Sequence, residues 1–214
     1  MRKKVYAYYK PILSINQDEQ FAQANIWKAS WERAGWECVM LNPSHASACP
    51  QFSIIQGKVA AIARNTPGLG LGIGEKLQSR FSRWGALFGV SGGWMTDYDV
   101  VNLGFTPEMA AAIEVEADIA INTDGKAWIF YATHRESFEA CKDFVNRGLF
   151  KKKEPSQPEP EAKILGIKKN FFKGIKTLIH VTGENKATQM RKLFGEYVNP
   201  GIVPVADGKP RNRK

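Results

Sequence analysis

The first 41 residues constrain the fold most. Val5–Tyr9 is an aromatic and β-branched run closed by Lys10-Pro11, which reads as a buried strand. Gln17–Ala34 then places Phe21, Ala24, Trp27 and Trp31 at spacings of three and four, an amphipathic helix stopped by Gly35. Trp36–Leu41, ended by Asn42-Pro43, is a second strand. Strand, helix and strand in so short a stretch form a βαβ start, which implies a parallel sheet with helices packed on it.

The rest of the chain continues this α/β order. Helices are predicted over Ser53–Arg64 and Glu75–Phe88, and from a Thr133/Glu136 capping-box pattern to about Asn146. Ala117–Ile121 and Ala127–Ala132 read as two strands around an Asn122-Thr123-Asp124-Gly125 turn. Thr177–Val181 reads as a short strand and Ala187–Phe194 as a helix. The glycines between Pro67 and Gly74 have neither the G-x-x-x-x-G-K-[ST] nor the G-x-G-x-x-G spacing, so a flexible connection is expected there rather than a phosphate loop. The expectation is a single domain over 1–200 with a flexible basic tail at 201–214. No apolar run approaches the roughly 20 residues of a membrane span. The basic N-terminus is followed by only five apolar residues, too few for a signal peptide. Cys38, Cys49 and Cys141 form an odd set without C-x-x-C, which fits a reducing cytoplasm and argues against a zinc site.

Charge is unevenly placed. Residues 1–146 hold 14 Lys/Arg against 15 Asp/Glu, whereas residues 147–214 hold 16 against 6, so the formal excess of +9 belongs to the last third. Residues 151–162 read as an exposed Lys/Pro/Glu-rich loop. Lys163–Lys176 repeats apolar residues at 164, 167, 171 and 175 with lysines opposite, the pattern of a basic amphipathic helix. Such a field attracts an anionic partner: a nucleic acid, a membrane surface or a phosphorylated ligand.

The segment Gly92-Gly93-Trp94-Met95-Thr96-Asp97-Tyr98-Asp99-Val100 carries the chemistry. An apolar run delivers two carboxylates at a strand end. In extended backbone, positions i and i+2 point the same way, so Asp97 and Asp99 can face one cation together. Like charges so close need a metal or hydrogen bonds to compensate them, and hard carboxylate oxygens suit Mg²⁺ or Mn²⁺.

Arg83-Trp84-x-x-Leu87 followed by Gly92-Gly93-x-x-x-Asp97-x-Asp99 resembles the sugar-nucleotide-binding region of GT-A glycosyltransferases, in particular the D-x-D proteins of family 32. Arg80 and Met95 stand where that family has an aspartate and a tyrosine. His180-Val181-Thr182-Gly183-Glu184-Asn185-Lys186 resembles the H-x-x-G-x-x-K signature of family 8. The resemblance implies a GT-A-like (Rossmann-like) domain with a mixed, mainly parallel sheet flanked by helices. It implies His180 as third metal ligand beside Asp97 and Asp99, and Lys186 with Gly183 as holders of a donor diphosphate. Two carboxylates and one imidazole leave about three positions of an octahedral ion open, and the imidazole favours Mn²⁺ over Mg²⁺. Further implied contacts with a nucleotide-sugar donor, most simply a UDP-sugar, come from Tyr8, Tyr9, Arg83 and Tyr98, with Asn122 and Asp124 touching the sugar. The activity implied is a retaining hexosyl transfer, with DNA bases of the kind some bacteriophages modify, or a lipid or lipopolysaccharide, as the anionic acceptor. The alternative is a non-catalytic nucleic-acid-binding protein whose D-x-D is a structural turn.

Overall fold

The strand β1 (Lys4–Tyr8) is buried on both faces: Val5 and Ala7 turn to one side of the sheet, Tyr6 and Tyr8 to the other. That pattern belongs to a central strand covered by helices on both sides. The computed structural model describes residues 2–11, 16–65, 71–123, 127–147, 149 and 159–195. After β1 come α1 (Gln17–Arg33), β2 (Glu37–Leu41), α2 (Pro43–Ala46), α3 (Phe52–Asn65), α4 (Leu71–Gly89), β3 (Gly92–Thr96), β4 (Val100–Asn102) and α5 (Pro107–Glu116). They are followed by β5 (Ile119–Ile121), β6 (Ile129–Thr133), α6 (His134–Arg147), α7 (Glu161–Ile164), β7 (Leu178–His180) and α8 (Lys186–Phe194).

Five strands form one sheet in the order β2-β1-β3-β6-β5. β1 pairs in parallel with β2 and β3, and β6 runs antiparallel to both β3 and β5. Four strands therefore point one way and β6 is reversed, a mixed α/β sheet. β4 and β7 pair separately and antiparallel. One core lies between the sheet and α2, α3, α4 and α6, with Trp84 of α4 stacked on Phe130 of β6 at 3.9 Å between ring centroids. The other lies on the opposite face, where α1, α5 and α8 pack.

The two glycines before the D-x-D are a backbone requirement. Gly92 has φ +88°, and a Cβ there would lie 2.6–2.7 Å from backbone atoms of Ala132, Thr133 and His134. Only glycine lets β3 and the β6–α6 junction approach so closely.

Three expectations are corrected. The buried stripe of α1 is Gln20, Gln23, Ile26, Trp27, Ser30 and Trp31, while Phe21 is 46% exposed on the flank. Leu71–Gly74 is not a connection but the first turn of α4. Lys163–Lys176 is not a helix: α7 ends at Ile164, and turns follow. The reason lies in where its apolar residues go. Ile164, Leu165 and Ile167 join the core under α4 and α6, whereas Phe171, Phe172 and Ile175 join the opposite core. A single helix cannot serve both faces of a sheet, so the segment is a strap that crosses from one core to the other.

Candidate metal centre

The D-x-D lies in the tight connection between β3 and β4. Its acids converge for a different reason from the extended spacing expected: the Asp97 carbonyl accepts from Val100 N–H at 3.2 Å, a turn that swings both side chains together. The turn is pinned at each end by an indole of α1. Trp27 Nε1 donates to Thr96 Oγ1 at 2.7 Å, and Trp31 Nε1 donates to the Val100 carbonyl at 3.2 Å. Asp97 N–H donates to the Trp128 carbonyl at 2.9 Å, which ties the turn to the strand beyond.

Sheet register brings in the third residue. The β4–β7 pairing sets Val100 opposite His180, and Val181 N–H donates to the Asp99 carbonyl at 3.0 Å. One donor atom each from Asp97, Asp99 and His180 therefore lies within 4.8 Å of the others, close enough to bind one metal ion. His180 Nε2 sits 3.4 Å from Asp99 Oδ1, near enough for electrostatic attraction but not hydrogen-bonded. That oxygen is buried and lacks a hydrogen-bond partner among the described residues. An orphaned carboxylate oxygen facing an imidazole is costly for a protein alone and suits a cation, so the donor set fits a divalent ion. The imidazole is held nearly parallel to the Trp128 indole, at 18° and 5.9 Å between centroids.

The electrostatics around the acids are divided. Burial pushes the Asp97 carboxyl above its ordinary range, with Arg83 opposing and Asp99 adding to the rise. Burial acts the same way on Asp99, but His180 and Lys186 outweigh it and hold Asp99 below its ordinary range. Lys186, the first residue of α8, donates to Asp99 Oδ2. The helix is docked for this by Ala187 N–H, which donates to Glu19 Oε1 on α1 at 2.7 Å. Gly183 lies in the open bend between β7 and α8, with nothing within 4 Å of its Cβ position.

Arg83 is not free to meet a ligand. It is buried, pairs with Asp97, and pairs with Glu161 at 2.7 Å through Nη2. These two partners hold its guanidinium between Asp97 and Glu161. Tyr8 is core rather than site: it is 7% exposed, and burial pushes its hydroxyl up to about 12 although Ser82 opposes. Tyr9 packs on Tyr98, the residue between the two acids. Its ring is 5.8 Å from Tyr98 and 5.7 Å from Phe21, and its hydroxyl lacks a partner among the described residues. Burial, then the charges of Asp99 and Asp97, push the Tyr98 hydroxyl up. Asn122 follows β5, buried, with its N–H donating to the Ile129 carbonyl at 3.1 Å. Asp124 lies outside the described residues, as do residues 151–158 and the tail.

Two residues around the site are not singled out by the sequence reading: Trp128 and Glu161. Glu161 falls at the end of the stretch expected to be an exposed loop, yet it is fully buried and pairs with both Arg80 and Arg83. Comparison with protein-family models, with curated proteins and with solved structures gives no match. Among the described residues, no helix is long and apolar enough to cross a membrane.

Proposed function

We propose that the protein is a metal-dependent glycosyltransferase of GT-A-like fold. It would transfer a sugar from a nucleotide donor, most simply a UDP-sugar, to an acceptor hydroxyl with retention of configuration. The observation that carries this reading is the convergence of Asp97, Asp99 and His180, from two segments 80 residues apart, with Lys186 on the same carboxylate. The single reversed strand in an otherwise parallel sheet supports the same reading.

Asp97, Asp99 and His180 would hold the ion, Mn²⁺ by preference for the imidazole. When bound, a divalent ion supplies Lewis-acid neutralisation of a diphosphate leaving group. The chain's own residues account for the rest. Arg83 fixes Asp97 from beneath while the Asp97 side chain stays one-third exposed, facing incoming ligand. Lys186 adds a point charge where negative charge develops on the departing diphosphate. The open bend at Gly183 lets the backbone pass under a phosphate. Tyr9 and Tyr98 offer ring faces for a base. The basic last third points to an anionic acceptor.

Thermal stabilisation by nucleoside diphosphates in the presence of Mn²⁺, followed by a nucleotide-sugar hydrolysis screen, tests this. The transferase reading expects a Tm rise that needs both metal and diphosphate. Equal Tm values with and without Mn²⁺ across all diphosphates would leave the structural-turn alternative standing.

A further inference from the structure

The strap between α7 and β7 is fixed to the metal centre at both ends. At its start, Glu161 pairs with Arg83, which pairs with Asp97. At its end, His180 belongs to the cluster itself. Residues 162–180 carry five lysines and no Asp or Glu. The five are Lys163, Lys168, Lys169, Lys173 and Lys176, all exposed. Lys163 pairs with Glu159 and Lys169 with Glu116. Lys168, Lys173 and Lys176 have no carboxylate partner among the described residues. Lys163 and Lys168 also border a cavity of about 330 Å³ with Pro160, Ala162 and Thr123, the residue after Asn122.

The apolar residues of the strap decide the partner. A segment that inserts into a bilayer needs an exposed apolar face beside its basic one. Here Ile164 and Phe172 are buried, and Leu165, Ile167, Phe171 and Ile175 pack against the two cores. What the strap's own side chains turn outward is mainly positive charge, which suits a chain of phosphates in water.

We infer that the strap 163–176 is a docking surface for the phosphate backbone of a nucleic acid, and that it holds this polyanion beside the Asp97–Asp99–His180 cluster. The docking stands on charge and burial alone; only its purpose, delivering the acceptor, rests on the transferase reading.

Fluorescence anisotropy of the full chain with a labelled 20-base-pair duplex, over 50–200 mM KCl, tests it. Replacing Lys168, Lys173 and Lys176 together by Gln should cut affinity at least tenfold at 100 mM salt. It should also lower the slope of log K against log salt by about 3, close to one per phosphate contact. A control carrying Lys28→Gln and Lys142→Gln, on α1 and α6, should change the slope much less. Vesicles containing phosphatidylserine should bind more weakly than duplex at the same salt. The inference is overturned if the triple variant binds duplex like the parent, if no binding occurs at 50 mM salt, or if the vesicles bind more tightly. Mn²⁺ titration of the same variant separates the two readings: intact metal binding with lost DNA binding is expected. DNA binding without any diphosphate effect would keep the docking surface and remove the transferase.

Discussion

Glu161 is the residue whose loss should be felt most for its size. Its side chain is 0% exposed and it faces two guanidinium groups, Arg80 at 11% and Arg83 at 5% side-chain exposure. Glu161→Ala removes the anion and leaves both cations in place. Arg80 keeps the Glu159 carbonyl at 3.1 Å, and Arg83 keeps Asp97 and the Ala127 carbonyl. Breaking a buried ion pair on one side costs about 3–5 kcal/mol. For a chain of this size each kcal/mol moves Tm by about 2–4 °C, so a fall of about 6–20 °C is expected by calorimetry. Glu161→Gln keeps the shape and one acceptor and should fall less. The sign with pH follows from the pairing. Burial raises the Glu161 carboxyl, but Arg83 and Arg80 outweigh it, so its folded pKa is below the unfolded value. Its stabilisation is full above the ordinary glutamate range near 4.3 and is lost as pH falls below that through the folded value. The parent Tm should therefore drop between about pH 5 and pH 3 more steeply than that of Glu161→Gln. A Glu161→Ala variant within about 2 °C of the parent at pH 7 would refute the network, because taking a fully buried carboxylate from two largely buried guanidiniums should cost more than that.

Other consequences are simpler to read. Asp99→Ala should abolish metal-dependent turnover and Mn²⁺ binding by electron paramagnetic resonance; retained binding would exclude Asp99 as a ligand. Lys186→Ala should weaken nucleoside diphosphate binding by about 10-fold or more, the worth of a charge-assisted hydrogen bond, and an unchanged Kd by calorimetry would remove Lys186 from the site. Trp128→Ala frees the His180 ring and should lower Mn²⁺ affinity about tenfold, at the low end for an outer-shell partner. Gly92→Ala forces a Cβ into the β6–α6 backbone and should cost about 3 kcal/mol or more in denaturant unfolding; a neutral result would mean the junction is looser than it stands.

The parts of this molecule legible in the sequence are those with local causes. Strand β1 and the spacing of Trp27 and Trp31 are short-range patterns, and they place the first βαβ unit correctly. The two acids and the H-x-x-G-x-x-K run are short motifs as well, and the β4–β7 register brings them together. The apolar spacing of the strap predicts a helix because periodicity records which residues are apolar and not which core each one enters. Ile164 and Phe172 look like one helical face and are buried on opposite sides of the sheet.

Glu161 was invisible for a related reason. Its partners lie 78 and 81 residues away, and nothing adjacent to it marks a buried acid. The departure at Arg80 gives the one indirect signal. Where the resembled pattern has an aspartate on α4, this chain has a second arginine one turn before Arg83. Two guanidiniums on one helix, Arg83 buried and Arg80 largely so, call for a carboxylate from elsewhere. Glu161 supplies it from α7, at the head of the strap, so the basic segment and Asp97 share one ionic network rather than merely lying side by side.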